Sequence, residues 1–211
     1  MAITFPRELY SYELAVCTFS LMDGVALNRA ANGRVISAVD QFDPWILGKF
    51  KTRRLMPAER RAWVAWKNSL QGGMKSFLAW DASRQYPITY PNGVPEIIAS
   101  TWDGEGTLSA LAARQLTVGG APTGFTLVPG DHVGLVEGGA YGVFDVTETA
   151  VAGASTMTIS VDPFVPLTVF TTAATVVLFR PKARFVLDPD SWEDEGDIEF
   201  SPISFQGFQR Y

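Results

Sequence analysis

The sequence predicts a mainly β protein: a β-sandwich with one α-helix, carrying an inserted small antiparallel β-barrel. Three observations lead there. A single stretch, residues 57–71, has helical periodicity. Between Gly124 and Arg180, short apolar runs follow one another at a spacing of about ten residues, divided by glycine and proline turns, as in small barrels. The first and last thirds share an aromatic, charged texture that this middle segment lacks. The parent domain is therefore assigned to residues 1–99 and 181–211, and the barrel to residues 100–180.

The helix is the element most fully specified. Pro57 stands in the first turn, where its missing N–H costs nothing, and Glu59 follows on the favourable side of the helix dipole. Trp63, Trp66 and Leu70 recur at i, i+3 and i+7 as one apolar stripe, while Arg60, Arg61 and Lys67 occupy other faces. Gly72-Gly73 ends the helix, and Phe77, Leu78 and Trp80 resume the chain as a strand. A helix with two indoles on one stripe has to lie on something flat and apolar, and a β-sheet answers that need.

Taken in order, residues 1–48 read as extended segments joined by turns at Asp23-Gly24 and Asn32-Gly33. From Trp45 a strand follows, with Lys49, Lys51, Arg53 and Arg54 on one face or flank. After the helix, FLAWDASRQYPITYPNGVPEI is rich in Pro, Gly, Asn and aromatics and reads as a long ordered loop. Residues 99–125, low in charge and high in Gly, Ala and Thr, read as a crossing between domains. Barrel strands are placed at Thr126–Val128, His132–Val136, Tyr141–Thr147, Met157–Val161 and Thr175–Phe179. The last thirty residues read as strands that rejoin the N-terminal sheet.

Composition removes several function classes. The chain has 211 residues, 47% of them hydrophobic and 18% charged, which suits a folded core. A net charge of −5 argues against DNA binding as the main task. No stretch of about 18 uninterrupted apolar residues spans a membrane, and the first twenty residues read as lacking a targeting signal. Cys17 is the only cysteine and reads as a small buried hydrophobe, in keeping with a reducing cytosol. His132 is the only histidine, no G-x-S-x-G elbow is present, and it reads as a strand or turn residue without a catalytic part. One His and one Cys exclude an ordinary zinc site, and the acids of DPDSWEDEGD lack the spacing of a calcium loop. No phosphate cradle is present. The chain does not read as an enzyme, and no cofactor, metal or catalytic residue is assigned.

What stands out is segregated charge. Lys49, Lys51, Arg53, Arg54, Arg60, Arg61 and Lys67 fall within nineteen positions that contain one acid, Glu59. Seven acids fall between Asp188 and Glu199 with no base among them. The two runs either pair within one chain or lie as solvated faces, or they form complementary edges of adjacent subunits. In the second case Lys49, Lys51, Arg53, Arg54, Arg60 and Arg61 of one subunit meet Asp194, Glu195, Asp197 and Glu199 of its neighbour.

Three stretches, in this order, carry a family likeness: RRLMPAERRAWVAWKNSLQGGMKSFLAWD, then PGDHVGL…YGVFDVTETAVAGASTMTISVDPF, then the closing FSPISFQGFQRY. Together the sequence resembles the distal tail proteins of long-tailed, siphovirus-like phages and gene transfer agents. The resemblance implies a ring-forming sandwich domain, a small barrel of OB or galectin type, and assembly as a hexameric ring. Such a ring connects the tail tube to the tail-tip hub of the baseplate, in the virion after manufacture in the host cytoplasm, with DNA only passing through its lumen. The partners implied are other copies of the chain, the tail-tube protein and the hub protein; no membrane is involved. The family's long extension arms and carbohydrate-binding additions have no clear counterpart here.

Other readings are a carbohydrate-binding module, with Trp80, Tyr86, Tyr90 and Trp102 as a stacking platform, a small hydrolase using scattered carboxylates, and another tail subunit such as a hub, adaptor or tube protein.

Overall fold

The computed structural model describes residues 3–9, 14–29, 31, 33–92, 102–194 and 200–211. The chain is mainly β, with 50% of the described residues in strands, 10% helical, and several sheets. In order, the strands are β1 (Arg7–Glu8), β2 (Leu14–Arg29), β3 (Val35–Thr52), β4 (Ser76–Ala79), β5 (Glu105–Ala112), β6 (Gln115–Gly119), β7 (Thr126–Leu127) and β8 (His132–Glu137). They continue as β9 (Ala140–Val146), β10 (Ala150–Val151), β11 (Thr156–Asp162), β12 (Thr175–Val177), β13 (Ala183–Leu187), β14 (Glu193–Asp194) and β15 (Ile203–Gln209). The helix, α1, spans Pro57–Ser69.

A seven-stranded sheet runs in the order β1-β4-β13-β15-β3-β2, with β14 also paired to β15. All its ladders are antiparallel except β1 with β4. Strand alternation gives it one aromatic face, on which Phe50, Phe77, Phe185 and Phe205 pack together. Helix α1 lies on that face. Trp63 and Trp66 are fully buried, and Trp66 meets Phe77 edge-on with ring centroids 5.2 Å apart. The carboxylate of Glu59 accepts the Met56 N–H at 2.8 Å, closing the helix start. At the other end the chain turns through Gly72 and Gly73 at φ 63° and 89°. A Cβ on Gly73 would lie 2.6 Å from the Leu187 carbonyl, so only glycine lets this turn reach β13.

Six further strands close into a barrel in the order β11-β6-β5-β12-β8-β9, and β7 and β10 form a separate pair. Leu116, Val118, Val133, Leu135, Phe144, Ile159 and Val176 fill its centre. Residues 99–125, read from sequence as a crossing, supply two of these strands. The alternation of β5 is hidden because Gly106 takes a buried position and a register shift falls between Leu108 and Ala110.

The barrel shares a wall with the sheet. In β9, Phe144 points into the barrel core while Val143 belongs to the core of the sheet. His132, at the start of β8, stacks on Phe19 of β2 at 5.9 Å. Tyr211 lays its ring on Phe144 at 6.1 Å.

Candidate subunit interface

The basic residues assigned to an interface are divided among three places. Lys49 and Lys51 stand exposed on the face of the sheet opposite α1, opposite Gln206 and Ser204 of β15. Arg54 and Arg61 are exposed, the first after β3 and the second on the solvent side of α1. None of these four makes an ion pair among the described residues. Arg53 holds Glu59 at 2.6 Å, and that contact, after the Met56 N–H, keeps the Glu59 carboxyl below its usual range.

Arg60 and Asp194 meet within one chain, Nε to Oδ1 at 2.9 Å. For this pair the intrachain alternative holds, since β14 runs beside β15 and brings Asp194 over the helix. Lys67 sits 4.7 Å from the ring centroid of Trp192. Other acids of the run serve local structure: Asp188 accepts the Asp190 N–H, and Glu193 accepts the Ser204 hydroxyl at 2.9 Å. Glu195, Asp197 and Glu199 lie outside the described residues.

The feature that sequence reading missed is an arm. The last β3–β15 pair is Leu47 with Phe208, yet β2 and β3 stay paired from there to Arg29 and Val35. Beyond the sheet they form a two-stranded ribbon reaching roughly 25 Å. Met22, Val25, Leu27, Val35, Val39, Phe42 and Trp45 on it are between 39% and 58% exposed. A lone hairpin is marginal in water, and this one carries apolar side chains where a solvated ribbon would be polar. The Asn32-Gly33 turn and the apolar residues around it were legible signals; that no third strand among the described residues covers them was not.

A polar hub ties the inner end of β2 to the barrel. Asp81 is 1% exposed and accepts the N–H of Phe19 at 3.0 Å, the N–H and hydroxyl of Ser83 at 2.8 and 2.6 Å, and Nε of Arg84 at 3.1 Å. Burial pushes its carboxyl up most, but these donors together outweigh it and hold the group below its usual value. Arg84 also donates to the carbonyls of Phe19 and Gly130 and reaches Asp145 at 3.5 Å. Asp145 in turn lies 2.9 Å from Nε2 of His132. With Ala82 N–H on the Cys17 carbonyl, the outer edge of β2 is closed at Cys17 and Phe19. Cys17 itself is buried, donates to the Trp80 carbonyl, and has its thiol pushed up to about 12 by burial.

No protein-family model and no curated protein matches the chain.

Of the residues suggested as a sugar platform, Tyr86, Trp102 and Tyr90 belong to one run of ring contacts through Phe179 and Phe125. Tyr90 is buried and stacks on Phe125, and its phenol oxygen accepts the Thr126 N–H. Trp102 packs edge-on against Phe125 and Phe179 and donates to the Glu105 carbonyl. Tyr86 lies beneath the guanidinium of Arg180, and Trp80 beneath the ammonium of Lys182. Among the described residues no group of three His, Cys, Asp or Glu side chains is placed to hold a metal, and no helix is long and apolar enough to cross a membrane.

Proposed function

We propose that this chain is a structural ring subunit of a phage tail tip, of the distal tail class, joining the tail tube to the baseplate hub. In this reading residues 1–99 and 181–211 form the ring domain. The sheet and the layer laid on its aromatic face make the sandwich, and residues 100–180 are an inserted barrel. The resemblance in the three quoted stretches supports the tail assignment. The arm supports assembly and carries the reading: it is a ribbon with apolar residues that the described residues of a single chain leave uncovered, and a neighbouring copy would cover them. The net charge of −5 suits a ring whose lumen passes DNA without retaining it.

The test is the native mass of the purified 23.0 kDa chain, by light scattering or native mass spectrometry, alone and with the tail-tube protein. A closed oligomer near a hexamer is the expected result. A strict monomer in both conditions overturns the proposal.

A further inference from the structure

We propose that the face of the seven-stranded sheet turned away from α1 binds single-stranded nucleic acid. Alternation and register lay that face out. On β3 it carries Trp45, Leu47, Lys49 and Lys51, and β15 sets Phe208, Gln206 and Ser204 opposite the last three. Trp45, Lys49 and Lys51 are exposed.

Two observations point to the ligand. The first is an open run of rings. Trp45 packs between Phe42 and Phe208, its ring centroid 5.2 Å from each, yet Trp45 stays 39% exposed and Phe42 47%. Rings left open on a sheet accept unpaired bases by stacking, whatever the base. The second observation is local charge of one sign in a chain whose net charge is −5. Lys49 and Lys51 lie to one side of the rings and make no ion pair among the described residues. To the other side stand Arg184, whose Nε donates to the Ser76 hydroxyl, and the exposed Arg210, whose N–H donates to the Arg184 carbonyl. Against these cations Glu193 sits beside Ser204 and accepts its hydroxyl, while Asp23 and Asp43 stand exposed where the arm begins.

The dimensions suit a short single strand. Six residues of strand separate Trp45 from Lys51, about 20 Å, which gives a track for about four nucleotides. Phosphates then lie over the lysines and bases over the rings. A cleft of about 270 Å3 between Val16, Lys49, Lys51 and Gln206 opens at the lysine end. Asp23 and Asp43 repel phosphates, so the track ends at Trp45 rather than climbing the ribbon. A duplex keeps its base faces stacked inside, so a double strand in passage is not the ligand of these rings. Few cations and a negative chain make the binding weak and salt-sensitive.

This proposal does not rest on the ring reading. Trp45 also belongs to the arm, so a neighbouring copy and a nucleic acid strand compete for it, and the titration uses chain dilute enough to sediment as a monomer. The experiment is fluorescence anisotropy of labelled oligothymidylate and oligouridylate of about twelve residues, at low salt, with the full chain. A duplex of the same length and polyglutamate serve as comparators. At least one single strand is expected to bind about tenfold more tightly than either comparator, the effect of one stacked base. Trp45→Ala should weaken that binding about tenfold. Lys49→Gln with Lys51→Gln, both at exposed positions, should keep the melting temperature and lower the slope of log K against log salt by about 1.4. Absence of binding by both single strands overturns the proposal. So does a duplex or polyglutamate that binds as tightly, or a double lysine variant that binds with the parent's affinity and slope.

Discussion

Oδ2 of Asp81 accepts the backbone N–H of Phe19 at 3.0 Å and so finishes the edge of a strand 62 residues away in the chain. The carboxylate does for β2 what a neighbouring strand would do, and it does so under nearly complete burial. Asp81→Ala leaves the Phe19 amide and the Arg84 guanidinium without their acceptor. The expected loss is about 1–3 kcal/mol, the cost of a buried donor left unpaired. Urea unfolding of the variant measures it, and an unchanged midpoint refutes the role.

The same residue predicts an acid limb. Its carboxyl takes up a proton less readily in the folded chain than in the unfolded one, so the stability it contributes is complete above the ordinary carboxylate value. That stability drains as the pH falls below about 4. Asp81→Asn should flatten this limb of the stability–pH curve while leaving its neutral plateau lower. A limb as steep as in the parent would assign the titration elsewhere.

Trp66 is 1% exposed and sits against Phe77 and Phe205, so Trp66→Ala should cost about 3–5 kcal/mol. Among the described residues its indole N–H has no hydrogen-bond partner. Trp66→Phe, which keeps much of the ring and discards that donor, should lose much less than the alanine variant. Equal losses in calorimetry would show that the N–H matters after all.

Arg60 and Asp194 should couple within a single chain. In a double-mutant cycle with Arg60→Glu and Asp194→Arg, the swapped pair should recover about 0.5–1 kcal/mol relative to the sum of the single changes. The recovery should not vary with protein concentration. A recovery that grows with concentration would return the pair to an interface between copies.

The arm separates folding from assembly. Val25→Asp and Val39→Asp alter side chains that are 47% and 58% exposed, so the melting temperature of the monomer should move little, by about 0.5 kcal/mol or less in stability. Under the ring assembly proposed above, sedimentation should nevertheless show the oligomer lost. Oligomers that persist in both variants would move the contact away from the arm.

Much of the fold was legible because local rules agreed with one another. Helix α1 stops two residues short of the expected 71, and Trp63, Trp66 and Leu70 are its buried stripe. The runs at His132–Val136 and Met157–Val161 lie within β8 and β11. What failed was of two kinds. A small residue and a register shift blurred the alternation in β5, so a paired region looked like a link. Long-range contacts were the other kind. Nothing local says that β15 stops covering β3 at Leu47, and that limit is what exposes the arm. Asp81 was visible only as the last residue of an aromatic strand motif; Arg84, three residues on, was the available hint of a buried ion pair. The segregated charge was plain in the sequence, but whether Arg60 met its acid in the same chain depended on where β14 was laid.

Ala79 and Ala183 are directly paired, and the whole barrel hangs on the chain between them. A tether that leaves and returns at one rung makes that rung a point of mechanical load. Pulling the barrel outward would open the β4–β13 ladder from Ala79–Ala183 inward, one hydrogen bond at a time. The second attachment, from the Phe19 carbonyl of β2 through Arg84 to Gly130 and Asp145, lies off this line and resists such a peel. With the Phe19–His132 stack it holds the barrel as a bracket rather than a flag, so force on the barrel would reach the sheet as torque.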